Sequence, residues 1–130
     1  MHAVKWGTLN SETSTDETGV TVKGEIPEAE STYSYLSTAY PCLNEKQLAI
    51  GESTIYGRQE LVNKSGLFLI EELEKIALER CSNARDAVRL IGGLAEKYGY
   101  GDLAECITIA DKNEVWYFEI AGSGPGKPSA

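Results

Sequence analysis

Two stretches in the second half of the chain carry an apolar residue at every third or fourth position. In the first, Leu69, Leu73, Ile76 and Ala77 fall on one stripe, which predicts an amphipathic helix over residues 67–80. The charged residues of this segment are predicted to cover its other side: Glu71, Glu72, Glu74, Lys75 and Glu79.

The second stretch repeats in the same way from Ala84 to Tyr98. Ser82 or Asn83 is suited to cap it, because a short polar side chain can accept a hydrogen bond from an unpaired N–H in the first turn. Gly99 can end it, because glycine adopts a left-handed backbone at a helix C-terminus without steric cost. We therefore predict two consecutive helices, which are either antiparallel neighbours or meet at a bend.

Near the end of the chain, apolar residues recur at every second position. Residues 104–110 and 115–121 are β-prone and are separated by the polar residues 111–114, a pattern typical of a β-hairpin. On the second strand Trp116, Phe118 and Ile120 share one face. This face needs helices to cover it.

The first half of the chain shows weaker patterns. Residues 33–40 predict a strand that Pro41 ends, and residues 48–50 predict a second strand. The two strands are expected to form a hairpin that residues 42–46 connect, with Asn44 at the turn. Apolar and polar residues alternate weakly over residues 20–26, which is compatible with an edge strand. Residues 10–18 have no apolar period and are predicted to form a solvated loop.

The order hairpin, two helices, hairpin predicts the α+β class, with a mostly antiparallel sheet and a helix pair packed on it. We divide the chain into a polar N-terminal connection over residues 1–31, an α+β core segment over 32–126 and a tail over 127–130.

Composition excludes several function classes. The 130 residues suit one domain or a piece of one, and the net charge of −8 argues against both a nucleic-acid surface and an anionic membrane surface. No apolar run approaches the roughly 20 residues of a membrane span. We expect neither nucleic acid nor membrane as a partner.

The three cysteines, Cys42, Cys81 and Cys106, are odd in number and far apart. This spacing fits free, mostly buried thiols better than a disulfide framework or a zinc site. Free thiols favour the cytoplasm, with a secreted or periplasmic location as the alternative. Because His2 is the single histidine, a histidine-based triad or a multi-histidine metal site cannot form within this chain, and we expect no metal or organic cofactor.

Asn44 is the first candidate for chemistry. A side-chain amide held at a turn can stabilise the negative oxygen of a tetrahedral intermediate, although asparagine also favours turns for backbone reasons alone. Glu52, Ser53, Thr54 and Arg58 follow a strand and can form a polar wall that holds a charged end of a substrate. Arg58 can bind a carboxylate through two parallel hydrogen bonds. The alternative interpretation of this segment is a solvated loop.

The remaining candidate residues give weaker evidence for a chemical role. No cysteine of this chain has a histidine or its own α-amine to activate it, so a structural thiol is the favoured interpretation for Cys81 and Cys106. Asp111 and Glu114 occupy a hairpin turn, where acidic residues are common, and we expect a structural role for both.

Taken together, these residues resemble the dipeptidase A family of cysteine-type N-terminal-nucleophile (Ntn) hydrolases. Three blocks carry the resemblance: residues 40–54 (YPCLNEKQLAIGEST) continuing to Gly57 and Arg58; residues 67–73 (LFLIEEL) with 84–88 (ARDAV); and residues 109–120 (IADKNEVWYFEI) with 124–126 (GPG). They span about residues 32–126.

The resemblance implies an αββα sandwich, of which this chain holds a part. It implies hydrolysis of dipeptides by an N-terminal cysteine whose own α-amine, with an ordinary pKa near 8, acts as general base. Asn44 then matches the block that supplies an oxyanion-hole asparagine in related Ntn hydrolases, and Glu52 and Arg58 are the substrate-binding candidates.

This chain departs from the family pattern at two points. It begins with Met1 rather than cysteine, so we expect an internal fragment of a larger dipeptidase that is inactive alone and able to form a homo-oligomer. Gln47 stands where many relatives have glycine. Two alternatives stay open: a related Ntn amidase acting on acyl amides such as bile-salt conjugates, and a non-catalytic interaction domain on the same scaffold.

Overall fold

A computed structural model describes residues 1–6 and 21–127 of the chain. Its elements are, in chain order, β1 (His2–Trp6), β2 (Thr21–Ile26), β3 (Ala49–Thr54), α1 (Ile70–Arg80), α2 (Ala84–Tyr98), β4 (Ala104–Ala110) and β5 (Val115–Ala121). A single 3-10 turn over Gln59–Leu61 precedes α1. The two antiparallel sheets and the helix pair confirm the α+β class. The predicted loop over residues 10–18 lies outside the described ranges.

The three-stranded sheet has the order β3-β4-β5 and is antiparallel throughout. The hairpin of β4 and β5 has the predicted bounds, and its register pairs Ile109 with Trp116 and Ile107 with Phe118. On β5, Trp116, Phe118 and Ile120 are more buried than the residues between them, so the predicted shared face is confirmed. The opposite face is open in the described structure, since Val115 and Tyr117 are 68% and 69% exposed.

The predicted hairpin between residues 33–40 and 48–50 is wrong. Strand β3 pairs with β4 instead, with Ile50 opposite Ile109. Residues 33–40 contribute only an isolated bridge between Tyr35 and Asn44. Their backbone groups bond elsewhere: the N–H of Tyr33 donates to the Glu79 carbonyl at 2.8 Å. A β-prone composition therefore did not produce a strand here, and the backbone groups of Tyr33 and Ser34 bond to Glu79 at the end of α1 and to Glu45 in a turn instead.

The two helices largely match their predictions. Helix α1 begins three residues after the predicted start at residue 67, and α2 begins at the predicted Ala84. Between the two alternatives for the cap, the structure selects Asn83, whose side chain accepts a hydrogen bond from the Asp86 N–H. Gly99 follows α2 with a φ of 83°, as its position predicted. The helices contact each other, and α2 covers β4 and β5.

The N-terminal residues supply part of the core. Strands β1 and β2 form a two-stranded antiparallel sheet, and α1 contacts β1. Val4 and Ile26 are buried in the same core cluster as the helices. The described residues 1–6 and 21–26 thus contribute to the core, which the predicted polar connection over residues 1–31 did not include. A five-residue strand and a weakly alternating one give little sequence signal.

A buried asparagine anchors the end of the described chain. The Asn63 Nδ2 donates to the Lys127 carbonyl at 3.0 Å, and its Oδ1 accepts from the N–H of Gly126 at 3.1 Å. The glycine-proline-glycine block thus packs against the start of the helical half. Within residues 1–6 and 21–127, no helix has the length and apolar character that a membrane span requires.

Candidate functional site

Asn44 opens a tight turn and stabilises it with its own side chain. The N–H of Gln47 donates to the Asn44 carbonyl at 3.1 Å, and the N–H of Asn44 donates to the Leu48 carbonyl at 3.0 Å. The Asn44 Oδ1 accepts from the backbone N–H groups of Lys46 and Leu48, each at 3.0 Å. This is the local bonding for which asparagine is favoured in turns.

The amide nitrogen of Asn44 points at the C-terminal end of α1. Nδ2 donates to the carbonyl oxygens of Leu78 at 2.8 Å and Cys81 at 2.9 Å. Carbonyls at a helix end lack partners within the helix, so the asparagine satisfies groups that would otherwise be buried and unpaired. Both N–H groups of the amide are occupied, and an oxyanion role requires one of them to be released. That role stays a prediction.

Glu45 holds the same turn from the other side. Its Oε1 accepts from the N–H of Ser34 at 2.9 Å, and its own N–H donates to the Ser34 carbonyl at 2.9 Å. The Asn-Glu pair therefore joins the segment around Ser34, the turn and the end of α1. The sequence predicted the turn, but it gave no indication of these distant partners.

Glu52 lies on the helix-facing side of β3, since it is opposite the buried Ile107 of β4. Its Oε1 accepts from the Thr54 Oγ1 at 3.2 Å. Glu52 repels three other carboxyl groups, which belong to α1 and β4, and one of these, Glu74, is repelled by all the others. We call the four residues the carboxyl cluster: Glu52, Glu71, Glu74 and Glu105.

Glu74 is the most buried member, with 1% of its surface exposed. Neither of its carboxyl oxygens has a hydrogen-bond partner in the described part of the chain. Burial, and then repulsion from the other three members of the cluster, raises the pKa of Glu74 to about 8. Glu74 therefore keeps its proton at neutral pH.

The pKa values of Glu71 and Glu105 are raised as well. Burial, followed by hydrogen bonding and repulsion from Glu52, raises the pKa of Glu105 to about 7. Burial is also the main reason that the pKa of Glu71 rises, with smaller contributions from Asp102 and Glu52. Glu74 and Glu105, whose pKa values lie near neutral pH, can donate and accept protons or bind a cationic group.

Sequence reasoning placed Glu74 on the solvent side of α1, and this prediction is wrong. Glu74 follows the buried Ile70 by four positions and precedes the buried Leu78 by four. Residues at this spacing share a helix face, so a signal for burial was present in the apolar row. The presence of a glutamate in that row masked it.

Arg58 is not part of the carboxyl cluster. It caps the 3-10 turn, its side chain is 78% exposed, and its Nη2 lies 3.8 Å from the Glu60 Oε1. The predicted polar wall is therefore divided: Glu52 and Thr54 bond to each other, while Arg58 pairs with Glu60 in solvent. Substrate binding by Glu52 and Arg58 stays a prediction.

All three cysteines are free, as predicted. Cys81 and Cys106 are buried, and burial raises the pKa of the Cys81 thiol to about 11, which makes it a poor nucleophile at neutral pH. Cys42 is exposed. In residues 1–6 and 21–127, no three His, Cys, Asp or Glu side chains are grouped as a metal site would require.

Asp111 and Glu114 have structural partners. The Asp111 Oδ2 accepts from the N–H of Ala84 at 2.8 Å, and Glu114 accepts from the Arg85 Nη2 at 2.9 Å. Hydrogen bonds from backbone N–H groups, that of Ala84 first, lower the pKa of Asp111. The two acids thus join the β4–β5 hairpin to the start of α2.

Comparison with known proteins gives the family. The model of peptidase family C69 matches residues 8–127 of this chain. A probable dipeptidase of Latilactobacillus sakei is 31% identical over 84 residues, which are 60% of this chain and 17% of that protein. The chain thus spans less than a fifth of this relative's length. Both findings confirm the resemblance that the sequence motifs indicated, and because the family match covers most of the chain, this chain belongs to peptidase family C69.

Proposed function

We propose that this chain is a segment of a dipeptidase that hydrolyses dipeptide amide bonds through an N-terminal cysteine lying outside the segment. The observation that carries the proposal is the family match over residues 8–127. In this mechanism the cysteine sulfur attacks the carbonyl carbon, and the α-amine of the same residue accepts the thiol proton and donates it to the leaving amine as the C–N bond breaks. Water then hydrolyses the thioester, which releases the acid and restores the thiol. The segment contributes part of the scaffold and the candidate residues Asn44, Glu52 and Arg58.

The substrate class is tested with the intact protein that carries this segment. We expect turnover of dipeptides, loss of turnover when the N-terminal cysteine is replaced by alanine, and little turnover of acyl amino acids or bile-salt conjugates. Turnover of the acyl amides alone favours the related Ntn amidase. Turnover of neither class favours the non-catalytic interaction domain.

Glu52 and Arg58 are proposed to hold the charged ends of the dipeptide. A guanidinium matches a carboxylate through two parallel hydrogen bonds, so Arg58→Gln is expected to raise KM for a dipeptide but not for its C-terminal amide. Glu60→Gln is the matched control, because it removes the present partner of Arg58. Equal changes for both substrates contradict the assignment of Arg58.

Asn44 is proposed to donate to the oxyanion, and this is tested against its structural role. Loss of an oxyanion donor slows catalysis by about a hundred to a thousandfold, so Asn44→Ala is expected to lower kcat by about tenfold or more. The buried Asn63 is the matched control, because it also bonds distant backbone groups. Both Asn44→Ala and Asn63→Ala are expected to lower Tm.

The comparison is made well below the Tm of both variants, so that each is folded when kcat is measured. A fall in kcat for Asn44→Ala alone supports the oxyanion role. An unaltered kcat with a lowered Tm removes Asn44 from the mechanism and leaves the contacts with Leu78 and Cys81 as its function.

A further inference from the structure

Strands β1 and β2 form a sheet of their own that packs on α1. We call these two strands the N-terminal sheet. Val4 and Ile26 are buried in the common core, and the Trp6 Nε1 donates to the Leu67 carbonyl at 2.7 Å. Neither strand pairs with β3, β4 or β5. The N-terminal sheet can therefore separate from α1 without breaking a pair of strands.

His2 lies between the N-terminal sheet and α1, with 10% of its side chain exposed. Acidic groups face both nitrogens of its ring. The Nε2 lies 3.7 Å from the Glu72 Oε2, while the Nδ1 lies 3.8 Å from the Glu28 Oε1 and 4.0 Å from the Glu79 Oε2. These separations are longer than hydrogen bonds. The His2 Nε2 and the Glu72 Oε2 are also buried and have no hydrogen-bond partner among the described residues.

The carboxyl groups around His2 already have cations beside them. The Lys75 Nζ lies 3.9 Å from the Glu72 Oε1, and Lys75 also attracts Glu79. The cations near the site are Lys5 on β1, Lys75 and Arg80 on α1, and the amine of Met1, which lies 3.9 Å from the Glu28 Oε2. A positive charge on His2 would therefore be an excess charge in a buried place, where it is unfavourable.

The titration of His2 follows from these surroundings. Burial, and then the charges of Lys75 and Arg80, lower the pKa of His2 from its ordinary value of 6.5. When the N-terminal sheet separates from α1, the ring enters water and accepts a proton at its ordinary pKa. The contribution of neutral His2 to docking is thus complete above pH 6.5 and is lost as the pH falls below this value.

We propose that His2 is an acid-sensitive clasp, whose protonation releases the N-terminal sheet from α1. Histidine suits this role because its charge changes within the range of pH 5 to 8. Release exposes Val4, which is fully buried in the docked state. The clasp also lies beside the end of α1 that the Asn-Glu turn binds, since Glu79 follows Leu78, whose carbonyl accepts from Asn44.

The test is amide hydrogen exchange of the intact protein at about pH 7.5 and about pH 5.5, on either side of the ordinary pKa of histidine. Protection factors are corrected for the intrinsic effect of pH on exchange. We compare protection of β1 in the unmodified protein with that in His2→Gln, which keeps the ring position neutral. The ratio of the two is expected to fall about threefold or more on acidification, since one proton changes an equilibrium by at most about tenfold per pH unit.

The comparison isolates His2 from the carboxyls around it. Burial raises the pKa values of Glu72 and Glu79, so these two groups favour docking as the pH falls and act in the opposite direction. Both are present in the unmodified protein and in His2→Gln, and their contributions cancel in the ratio to first order.

Two further variants test the charge balance. Glu28→Gln removes a carboxylate that faces the His2 Nδ1 and favours its protonation, so the loss of β1 protection at the lower pH is expected to be larger. Glu25→Gln is the matched control, because Glu25 is exposed on β2 and is not among the charges that shift the pKa of His2. It is expected to respond as the unmodified protein does.

An NMR titration gives a second readout, in which the imidazole resonance that disappears in His2→Gln reports the pKa of His2. A pKa below 6.5, with the expected fall in the protection ratio, supports the proposal. A constant ratio, equal responses of Glu28→Gln and Glu25→Gln, or a pKa at or above 6.5 overturns it. None of these outcomes depends on whether the protein hydrolyses dipeptides, so the two proposals fail separately.

Discussion

At the scale of the residue, the Asn-Glu turn shows how one side chain can organise distant backbone. Asn44 bonds four backbone groups, two in its own turn and two at the end of α1. Its neighbour Gln47 has a φ of 65°, and no other non-glycine residue in the described ranges has a positive φ. This position ends the tight turn that Asn44 opens, and a left-handed residue at such a place is usually glycine.

We expect Gln47→Gly to stabilise the chain. A left-handed backbone costs a residue with a Cβ about 1–2 kcal/mol, and the greater freedom of glycine in the unfolded chain offsets part of this, which leaves a net gain of about 0.5–1 kcal/mol. Urea unfolding measures the change. Gln47→Ala is the control, because it shortens the side chain but keeps the Cβ; equal stability of the glycine and alanine variants contradicts the strain argument.

At the scale of the element, α2 is fixed at both ends by residues outside its apolar stripe. Asn83 caps its first turn, and Asp111 bonds the N–H of Ala84 from the β4–β5 hairpin. Gly99 ends it with a positive φ. The helix position is thus determined by local signals at its ends as well as by the burial of its stripe against the sheet.

We expect Asn83→Ala to lower the free energy of unfolding by about 1 kcal/mol, the usual cost of losing an N-cap. Ser82→Ala is the matched control, since Ser82 precedes the cap and is exposed. Thermal unfolding of the two variants side by side measures the difference. If Ser82→Ala lowers the free energy of unfolding as much as Asn83→Ala does, the assignment of the cap is wrong.

At the scale of the whole molecule, the carboxyl cluster joins α1, β3 and β4, and burial raises the pKa of three of its members, Glu71, Glu74 and Glu105. A carboxyl whose pKa is raised on folding binds a proton that the unfolded chain releases above its ordinary value of 4.5. The stabilising contribution of that proton is complete at low pH and is lost as the pH rises toward the folded pKa. For Glu74 this window extends from about pH 4.5 to about pH 8.

We expect the stability of the protein to fall between pH 5 and pH 8, with each raised carboxyl contributing up to about 1.4 kcal/mol per pH unit inside its own window. Glu74→Gln mimics the protonated form, so the variant is expected to show a shallower slope and a higher Tm at pH 8. Glu96→Gln, at an exposed position of α2, is the control. The same slope for the Glu74→Gln variant and the unmodified protein contradicts the assignment.

The sequence by itself determined the α+β class, the bounds of β4, β5 and α2, and the family motifs. These depend on local period, caps and turn residues, which act over a few neighbouring positions. It also indicated that Asn44 occupies a turn and that the cysteines are free. The wrong hairpin over residues 33–50 shows the limit of such local signals, because β-prone residues do not specify the strand with which they pair.

Only the tertiary structure decided which strand β3 joins, which residues meet in the carboxyl cluster and where the Asn44 amide points. Each depends on groups that are distant in sequence: β3 and β4 are separated by both helices, and Asn44 bonds Leu78 and Cys81. The row of Ile70, Glu74 and Leu78 carried a signal for the burial of Glu74, but the proximity of Glu74 to Glu52 and Glu105 depends on the tertiary structure. The energy of a buried polar group depends on its three-dimensional surroundings, which local sequence patterns do not contain.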